Sequence, residues 1–269
     1  MFVTRLLSGI ALVIVLLATG ILGGKVLWAF SLLISLIGMH EFYKVFKIEK
    51  NLGIAGYVMA VLYYLALGFW NLNFNAGSFL AVLFMCIAGA YVLKYPKYNT
   101  EQVFAAVFGF LYLPLMLSYI YQIRMMNDGL YSMWLIFLCS WGCDTCAYCV
   151  GMLIGKRKLA PVLSPKKSIE GAIGGVVGAA ILGAIYALAV QKNISMEHAP
   201  LYFAIICAVG AMISQFGDLI ASGIKRQHQI KDYGKLIPGH GGILDRFDSV
   251  IFTAPMIYVL IRVFLGAYL

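Results

Sequence analysis

Apolar residues form long, nearly uninterrupted runs along most of the chain, and short polar segments separate the runs. A transmembrane helix needs about 20 mostly apolar residues to cross the hydrocarbon core of a bilayer. The pattern therefore predicts an all-α integral membrane protein with about nine transmembrane helices. The predicted helices lie at approximately residues 5–23, 26–43, 53–71, 78–93, 102–122, 130–154, 171–190, 200–222 and 249–268.

Composition supports this prediction and excludes an ordinary soluble domain. Of the 269 residues, 62% are hydrophobic and only 12% are charged, whereas soluble domains have about 45–50% apolar and about 25% charged residues. We expect a single polytopic membrane domain over residues 1–269. Within it, residues 1–125 form N-terminal helices, and residues 126–269 form a second group of helices that carries two polar loops, 155–170 and 223–248.

The basic residues orient these helices. The chain has 20 Lys and Arg residues against 11 Asp and Glu residues, a formal net charge of +9. If the N-terminus is cytoplasmic, most of the basic residues fall in cytoplasmic segments, as the positive-inside rule requires. We therefore predict a cytoplasmic N-terminus and a C-terminus outside. The same rule, together with anionic lipid headgroups, explains the positive charge without a nucleic-acid partner.

Carboxylates inside apolar runs mark candidate functional positions, because an ionised side chain is costly in a bilayer. Glu41 ends the second run close to two lysines, so we favour a structural role in which it pairs or reaches water. Asp144 and Asp218 lie in runs that continue directly into the two basic loops. A shared polar cavity on the cytoplasmic side would explain both positions.

The loop of residues 155–170 is the first candidate for anion binding. It contains five Lys and Arg residues, and Ser168 precedes the next predicted helix. Helix N-termini offer free N–H groups and a positive dipole end to anions. Two interpretations fit equally well: a substrate anion site, and a positive-inside loop that also touches lipid phosphate.

The segment of residues 222–248, here called the signature segment, is the strongest functional signal. Its Lys and Arg side chains can neutralise phosphates, and a turn containing Gly239, Gly241 and Gly242 lets backbone N–H groups approach them. Asp245 and Asp248 are three residues apart, so a helix that begins there presents both on one face. Carboxylates of this kind bind Mg²⁺ together with substrate phosphates.

Small side chains in the apolar runs favour packing over chemistry. Cys139, Cys143 and Cys146 share one face of the sixth predicted helix, but no second Cys or His cluster completes a metal site. Glycines four apart, such as Gly171 and Gly175, predict close helix contacts.

The signature segment resembles that of the phosphatidate cytidylyltransferases, also called CDP-diacylglycerol synthases. That family has Ser-x-aliphatic-Lys-Arg, then Lys-Asp-x-small, then aliphatic-Pro-x-His-Gly-Gly-aliphatic-x-Asp-Arg-x-Asp, and every position is met between Ser222 and Asp248. The resemblance extends upstream through residues 144–171, including Asp144, Ser164-Pro-Lys-Lys167 and Glu170-Gly171.

The resemblance implies transfer of the cytidylyl group of CTP to phosphatidic acid, giving CDP-diacylglycerol and pyrophosphate. It implies Mg²⁺ as the cofactor, either alone or with a second metal ion. It implies a multi-pass protein of the inner membrane, with a cytoplasmic active site and a homodimeric assembly. We assign metal binding to Asp218, Asp245 and Asp248, with Asp144 as a further ligand or a support for one. Phosphate contacts are assigned to Lys225, Arg226, Lys231 and Arg246, and substrate contacts to Lys166, Lys167, Ser168, Ser222, Gly239, His240, Gly241 and Gly242.

Two other functions remain open at this stage. A CTP-dependent lipid kinase would share the nucleotide site but transfer the γ-phosphate. A transporter of an anionic substrate would also need acids within the membrane. The polar residues concentrate near one predicted membrane face, which favours the cytidylyltransferase.

Overall fold

A computed structural model describes residues 2–69, 76–194 and 197–265, and for residues 2–5, 76 and 265 it describes only the backbone. Within these ranges the chain is almost entirely helical. The α-helices are α1 (Phe2–Leu22), α2 (Gly24–Val45), α3 (Gly53–Phe69), α4 (Ala76–Leu93), α5 (Thr100–Phe110), α6 (Met116–Arg124), α7 (Gly129–Ser132), α8 (Trp134–Phe137), α9 (Cys143–Ile154), α10 (Ile169–Val190), α11 (Ala199–Gln227) and α12 (Leu244–Leu265).

Six helical stretches among the described residues are long and apolar enough to cross a membrane. They are Gly24–Val45, Thr100–Arg124, Gly129–Ile154, Ile169–Asn193, Ala199–Gln227 and Leu244–Phe264. Three shorter apolar helices cover Leu6–Leu22, Gly53–Phe69 and Gly77–Leu93. The all-α membrane class is thus confirmed, while the count of nine spans and the orientation of the termini stay predictions. Residues 70–71 and 266–268 of the predicted spans, and the side chain of Arg5, lie outside the described residues.

Two of the long helices contain a π-helical turn. The first, Leu111–Leu115, joins α5 to α6 and contains Pro114, whose missing N–H interrupts the α-helical hydrogen bonds. The second, Leu138–Gly142, joins α8 to α9. It lies directly before Asp144, and π-helical turns of this kind occur frequently at functional sites.

The chain forms two compact units, and the signature segment is divided between them. One unit contains residues 1–121 and 232–246, and the other contains residues 122–231 and 247–269. In the first unit Tyr43 of α2 is fully buried and donates to the carbonyl oxygen of Ala106 at 2.7 Å. Trp28 and Tyr64 link α2 to α3 by a 2.7 Å bond from the indole N–H to the Tyr64 carbonyl. These bonds satisfy polar atoms inside an apolar helix bundle.

In the second unit, glycines let α9 and α10 approach closely, as predicted. A Cβ atom built on Gly174 would lie 2.6 Å from Val150, and one on Gly175 would lie 2.9 Å from the sulfur of Cys143. Cys139 and Cys143 are fully buried among such contacts, which confirms their packing role. The described cysteines are all free thiols.

A short antiparallel hairpin occupies the loop between α9 and α10 and was not predicted. Its strands are β1 (Lys158–Ala160) and β2 (Ser164–Ser168), with Lys158 opposite Ser168 and Ala160 opposite Ser164. Glu170 accepts from the backbone N–H groups of Lys156 at 3.0 Å and Arg157 at 3.2 Å. These bonds tie the start of the hairpin to the first turn of α10.

Candidate active site

A cavity of about 490 Å³ lies in the second unit, between the hairpin and helices α9, α10 and α11. One part of its wall is polar and the rest is apolar. The polar lining residues are Asp144, Lys166, Lys167, Ser168, Gln215 and Asp218, and the others are Ala147, Tyr148, Gly151, Met152, Leu159, Gly171 and Ala172. The predicted shared cavity of Asp144 and Asp218 is therefore present.

An ion pair between Lys167 of β2 and Asp218 of α11 dominates the polar wall. The two side chains are 25% and 23% exposed, so solvent reaches both. Burial lowers the pKa of the Lys167 ammonium, but the pair with Asp218 and the charges of Asp144 and Asp248 outweigh burial and hold the pKa above the ordinary lysine value. Lys167 is consequently cationic throughout the physiological range.

Three carboxylates and two lysines interact with one another in this unit. Asp248 in α12 interacts electrostatically with Asp218, Asp144 and Lys225. Three carboxylates, Asp144, Asp218 and Asp248, therefore act on Lys167.

Ser168 and Gln215 organise the floor of the cavity. Ser168 is the N-cap of α10 and accepts from the Gly171 N–H at 3.1 Å, a local role that its assignment as a substrate contact did not include. Gln215, which the sequence analysis missed, donates from its side-chain amide to the Ala172 carbonyl at 3.0 Å. It lies one helical turn before Asp218, so its spacing could have suggested a shared face.

The remaining basic residues of this unit have separate positions. Lys225 acts on Asp248, and the guanidinium of Arg226 donates to the Leu163 carbonyl in the hairpin turn at 3.4 Å. Lys231 is exposed in the coil after α11. The hydroxyl of Ser222 donates to Asp218 at 3.4 Å, so Ser222 supports that carboxylate.

In the first unit, residues 232–246 fold into a tight glycine-rich turn. Gly239 and Gly241 have φ angles of 77° and 86°, which side-chain-bearing residues rarely adopt. Their turn is closed by bonds from the Ile237 N–H to the Gly241 carbonyl and from the His240 N–H to the Ile237 carbonyl, both 2.9 Å. The predicted turn is thus present, and glycine is required at two of its positions.

Asp245 closes this turn from the first residues of α12. Its Oδ2 atom accepts from the backbone N–H groups of Tyr233 at 2.8 Å and Gly242 at 3.0 Å. The residue is only 7% exposed. Arg246 follows it in the same turn of helix. The structure therefore gives Asp245 an architectural role, and its assignment to metal stays a prediction.

His240 and Glu41 connect the turn to the first two helices. The Nδ1 atom of His240 lies 2.9 Å from the Ser8 hydroxyl, which also bonds the Pro238 carbonyl at 3.0 Å. Glu41 is 6% exposed and accepts from the backbone N–H groups of Ile243 and Leu244. The predicted structural role of Glu41 is confirmed, but its partners are backbone groups of a distant segment.

The donor chemistry of the cavity suits Mg²⁺, which binds one or two carboxylates and completes its shell with phosphate oxygens and water. Among the described residues, no group of three His, Cys, Asp or Glu side chains is arranged to hold a metal ion by itself. The acids around Lys167 therefore fit an ion that substrate phosphates help to bind. They do not form a complete protein cage.

The apolar helices define a multi-pass membrane protein, and the cavity in its second unit is lined by charged side chains of both signs. Residues 3–264 match the model of the cytidylyltransferase family. The chain is 34% identical to the phosphatidate cytidylyltransferase of Staphylococcus saprophyticus over 262 residues, which cover 96% of this chain and 98% of that protein. It is 31% identical to the phosphatidate cytidylyltransferase of Bacillus subtilis over 269 residues, 97% of each chain. The chain belongs to the cytidylyltransferase family.

Proposed function

We propose that this enzyme transfers the cytidylyl group of CTP to phosphatidate and so makes CDP-diacylglycerol for phospholipid synthesis. Family membership and relatives that carry this activity in their names support the reaction. The structural observation that carries the proposal is the cavity in which Lys167 and Asp218 pair beside Asp144. Its polar wall suits phosphates, and its apolar wall suits a lipid.

The reaction needs charge neutralisation more than it needs a base. A phosphate oxygen of phosphatidate attacks the α-phosphorus of CTP, and the bond from that phosphorus to the oxygen bridging the β-phosphate breaks, releasing pyrophosphate. A phosphate monoester has a second pKa near 6, so the attacking oxygen is already anionic at neutral pH. Lys167 and Lys225 offset the repulsion between the two anionic substrates, with Lys166, Arg226, Lys231 and Arg246 as further phosphate contacts.

Asp144 and Asp218, which line the cavity, and Asp248, which interacts with both, are the residues that would hold Mg²⁺. Asp245 keeps the same assignment from the signature segment. When bound, the ion would neutralise phosphate charge and polarise the bond to the leaving pyrophosphate. The grouping of these carboxylates around Lys167 supports this part of the proposal. Whether one ion or two take part is left to metal titration.

The apolar wall supports a lipid substrate. Tyr148 and Met152 line the cavity, and each is 68% exposed on α9. Exposed apolar side chains on a membrane helix contact acyl chains, whereas the charged wall faces the headgroup. A phosphatidate molecule could therefore place its phosphate near Lys167 while its acyl chains remain in the bilayer.

The cellular setting completes the proposal. Apolar helices and bacterial relatives support a multi-pass membrane protein. The skew of basic residues supports a site that faces the cytoplasm of the inner membrane, with nine spans. The homodimer rests on the family resemblance alone.

The decisive experiment supplies purified protein with phosphatidate, Mg²⁺ and CTP labelled at the α-phosphate, and separates lipid from water. Label in the lipid together with released pyrophosphate is the expected result. Release of CDP, with the γ-phosphate in the lipid, would identify the lipid kinase instead. Nucleotide uptake into vesicles without pyrophosphate release would identify the transporter. Asp218→Asn serves as the matched inactive control.

A further inference from the structure

Glu41 connects the second helix to the start of the last one. Its Oε1 atom accepts from the Ile243 N–H at 3.1 Å, and its Oε2 atom accepts from the Leu244 N–H at 2.8 Å. The first N–H groups of a helix have no partner within the helix. A carboxylate there satisfies two of them and also interacts favourably with the helix dipole.

The turn before α12 is shaped around the same carboxylate. A Cβ atom on Gly234 would lie 2.6 Å from the carboxyl carbon of Glu41, and one on Gly242 would lie 2.5 Å from it. Both values are below the closest approach of real side chains. Glycine at these two positions therefore leaves the space that the Glu41 carboxylate fills.

A second carboxylate, that of Asp245, also stabilises the turn. Asp245 accepts from the Tyr233 and Gly242 N–H groups, so Gly242 lies against both acids. Asp245 and Arg246 occupy the first turn of α12, the same turn whose amides Glu41 binds. Glu41 thus contacts the helical turn that carries both of these residues of the signature segment.

We propose that Glu41 is a positioning residue for the cytidylyl transfer. Its carboxylate holds the glycine-rich turn and the first turn of α12, and it acts on the reaction through Asp245 and Arg246. The effect on turnover rests on the proposed function. The contact itself can be measured without any substrate.

The first test compares wild type, Glu41→Gln and the control Glu101→Gln, which alters an exposed acid in the first turn of α5. Hydrogen exchange is measured for peptides that contain residues 243 and 244, and kcat is measured per folded molecule. A hydrogen bond to a charged group is stronger than one to a neutral group, so exchange of these amides in Glu41→Gln is expected to rise about tenfold, and kcat to fall by at least as much. Glu101→Gln should match wild type in both measurements.

Unchanged exchange in Glu41→Gln would overturn the contact. Faster exchange with kcat within about twofold of wild type would overturn the positioning role, since a purely structural cap would leave turnover of the folded protein intact. If wild type itself formed no CDP-diacylglycerol, the proposed function would fail, and the exchange data would still decide the contact.

A second set of variants covers the case in which Glu41→Gln does not fold. Gly234→Ala pushes a methyl group against the Glu41 carboxylate, and Glu41→Asp shortens that side chain by one methylene. Each change alone is expected to lower kcat about tenfold, and the double variant should lose much less than the product, because the shorter acid makes room. Losses that simply multiply would contradict the proposal.

Discussion

Lys167 lies among three acids, because Asp144, Asp218 and Asp248 all act on it. A lysine in an apolar pocket would lose its proton more easily, but here the acids outweigh burial. The stabilising contribution of a group with a raised pKa is present in full below its ordinary value, about 10.4 for lysine. It is lost only as pH rises through the higher, folded-state pKa.

Lys167 should therefore stay charged while the enzyme is assayed between pH 6 and 9. Lys167→Arg, whose side chain remains cationic throughout, is expected to have a pH–rate profile of the same shape as wild type, even if its maximal rate differs. Lys167→Gln, which lacks the charge, should lose turnover on the order of 10²-fold. A wild-type alkaline limb that disappears in Lys167→Arg would show that Lys167 titrates in this range.

The Asp245 carboxylate has two roles. It accepts hydrogen bonds from two N–H groups at its Oδ2 atom, and it is a predicted metal ligand. Asp245→Asn keeps the shape of the side chain but removes its charge. We expect turnover to fall on the order of 10²-fold or more, with membrane insertion intact, and steady-state assays over a range of Mg²⁺ concentrations measure it. Lys235→Ala, at an exposed position of the same segment, should cost far less. Near-normal turnover of Asp245→Asn at low Mg²⁺ would contradict the metal assignment.

The contact between α9 and α10 depends on glycine along its length. Helix α9 carries Asp144, and α10 begins directly after its N-cap residue Ser168. Since a methyl group at Gly175 would meet Cys143 and Ala147 at 2.9 Å, the helices could accept it only by moving apart. The cavity would then change its width.

Gly175→Ala is expected to lower the free energy of unfolding by about 1–3 kcal/mol, as overpacking in well-packed cores does. Thermal unfolding in detergent measures the change. The matched control is Gly89→Ala in α4, where a methyl group meets no atom within 4 Å and the helix gains propensity. Equal unfolding temperatures for the two variants would show that the α9–α10 contact accommodates the extra methyl group without loss of stability.

Elements governed by local patterns were predictable, and elements governed by distant contacts were not. Apolar runs located the helices because each run satisfies its own backbone. The hairpin was not predicted because its two strands are short, contain polar residues and pair within a basic loop. The hydrogen-bond partners of Glu41 were not predicted because they lie 202 and 203 residues away along the sequence. A helix start close to Ser168 was predictable because capping is decided within about four residues.

At the scale of the whole molecule, the proposed topology has a direct test. Single cysteines at Lys166 and Lys235, in a background without the six native cysteines, should react with a membrane-impermeant thiol reagent only from the cytoplasmic side. Both lysines are exposed, so access does not limit labelling. A cysteine at Lys25, in the predicted outer loop, is the opposite control. Labelling of residue 166 or 235 from outside would overturn both the topology and the cytoplasmic site.

The two compact units are not consecutive lengths of chain, because residues 232–246 return to the unit formed by residues 1–121. A fragment that begins after residue 121 would keep the glycine-rich turn but lose Ser8 and Glu41, which hold it. The early helices therefore contribute directly to the position of this turn. A shortened form of this enzyme therefore has to keep Ser8 and Glu41 as well as residues 232–246.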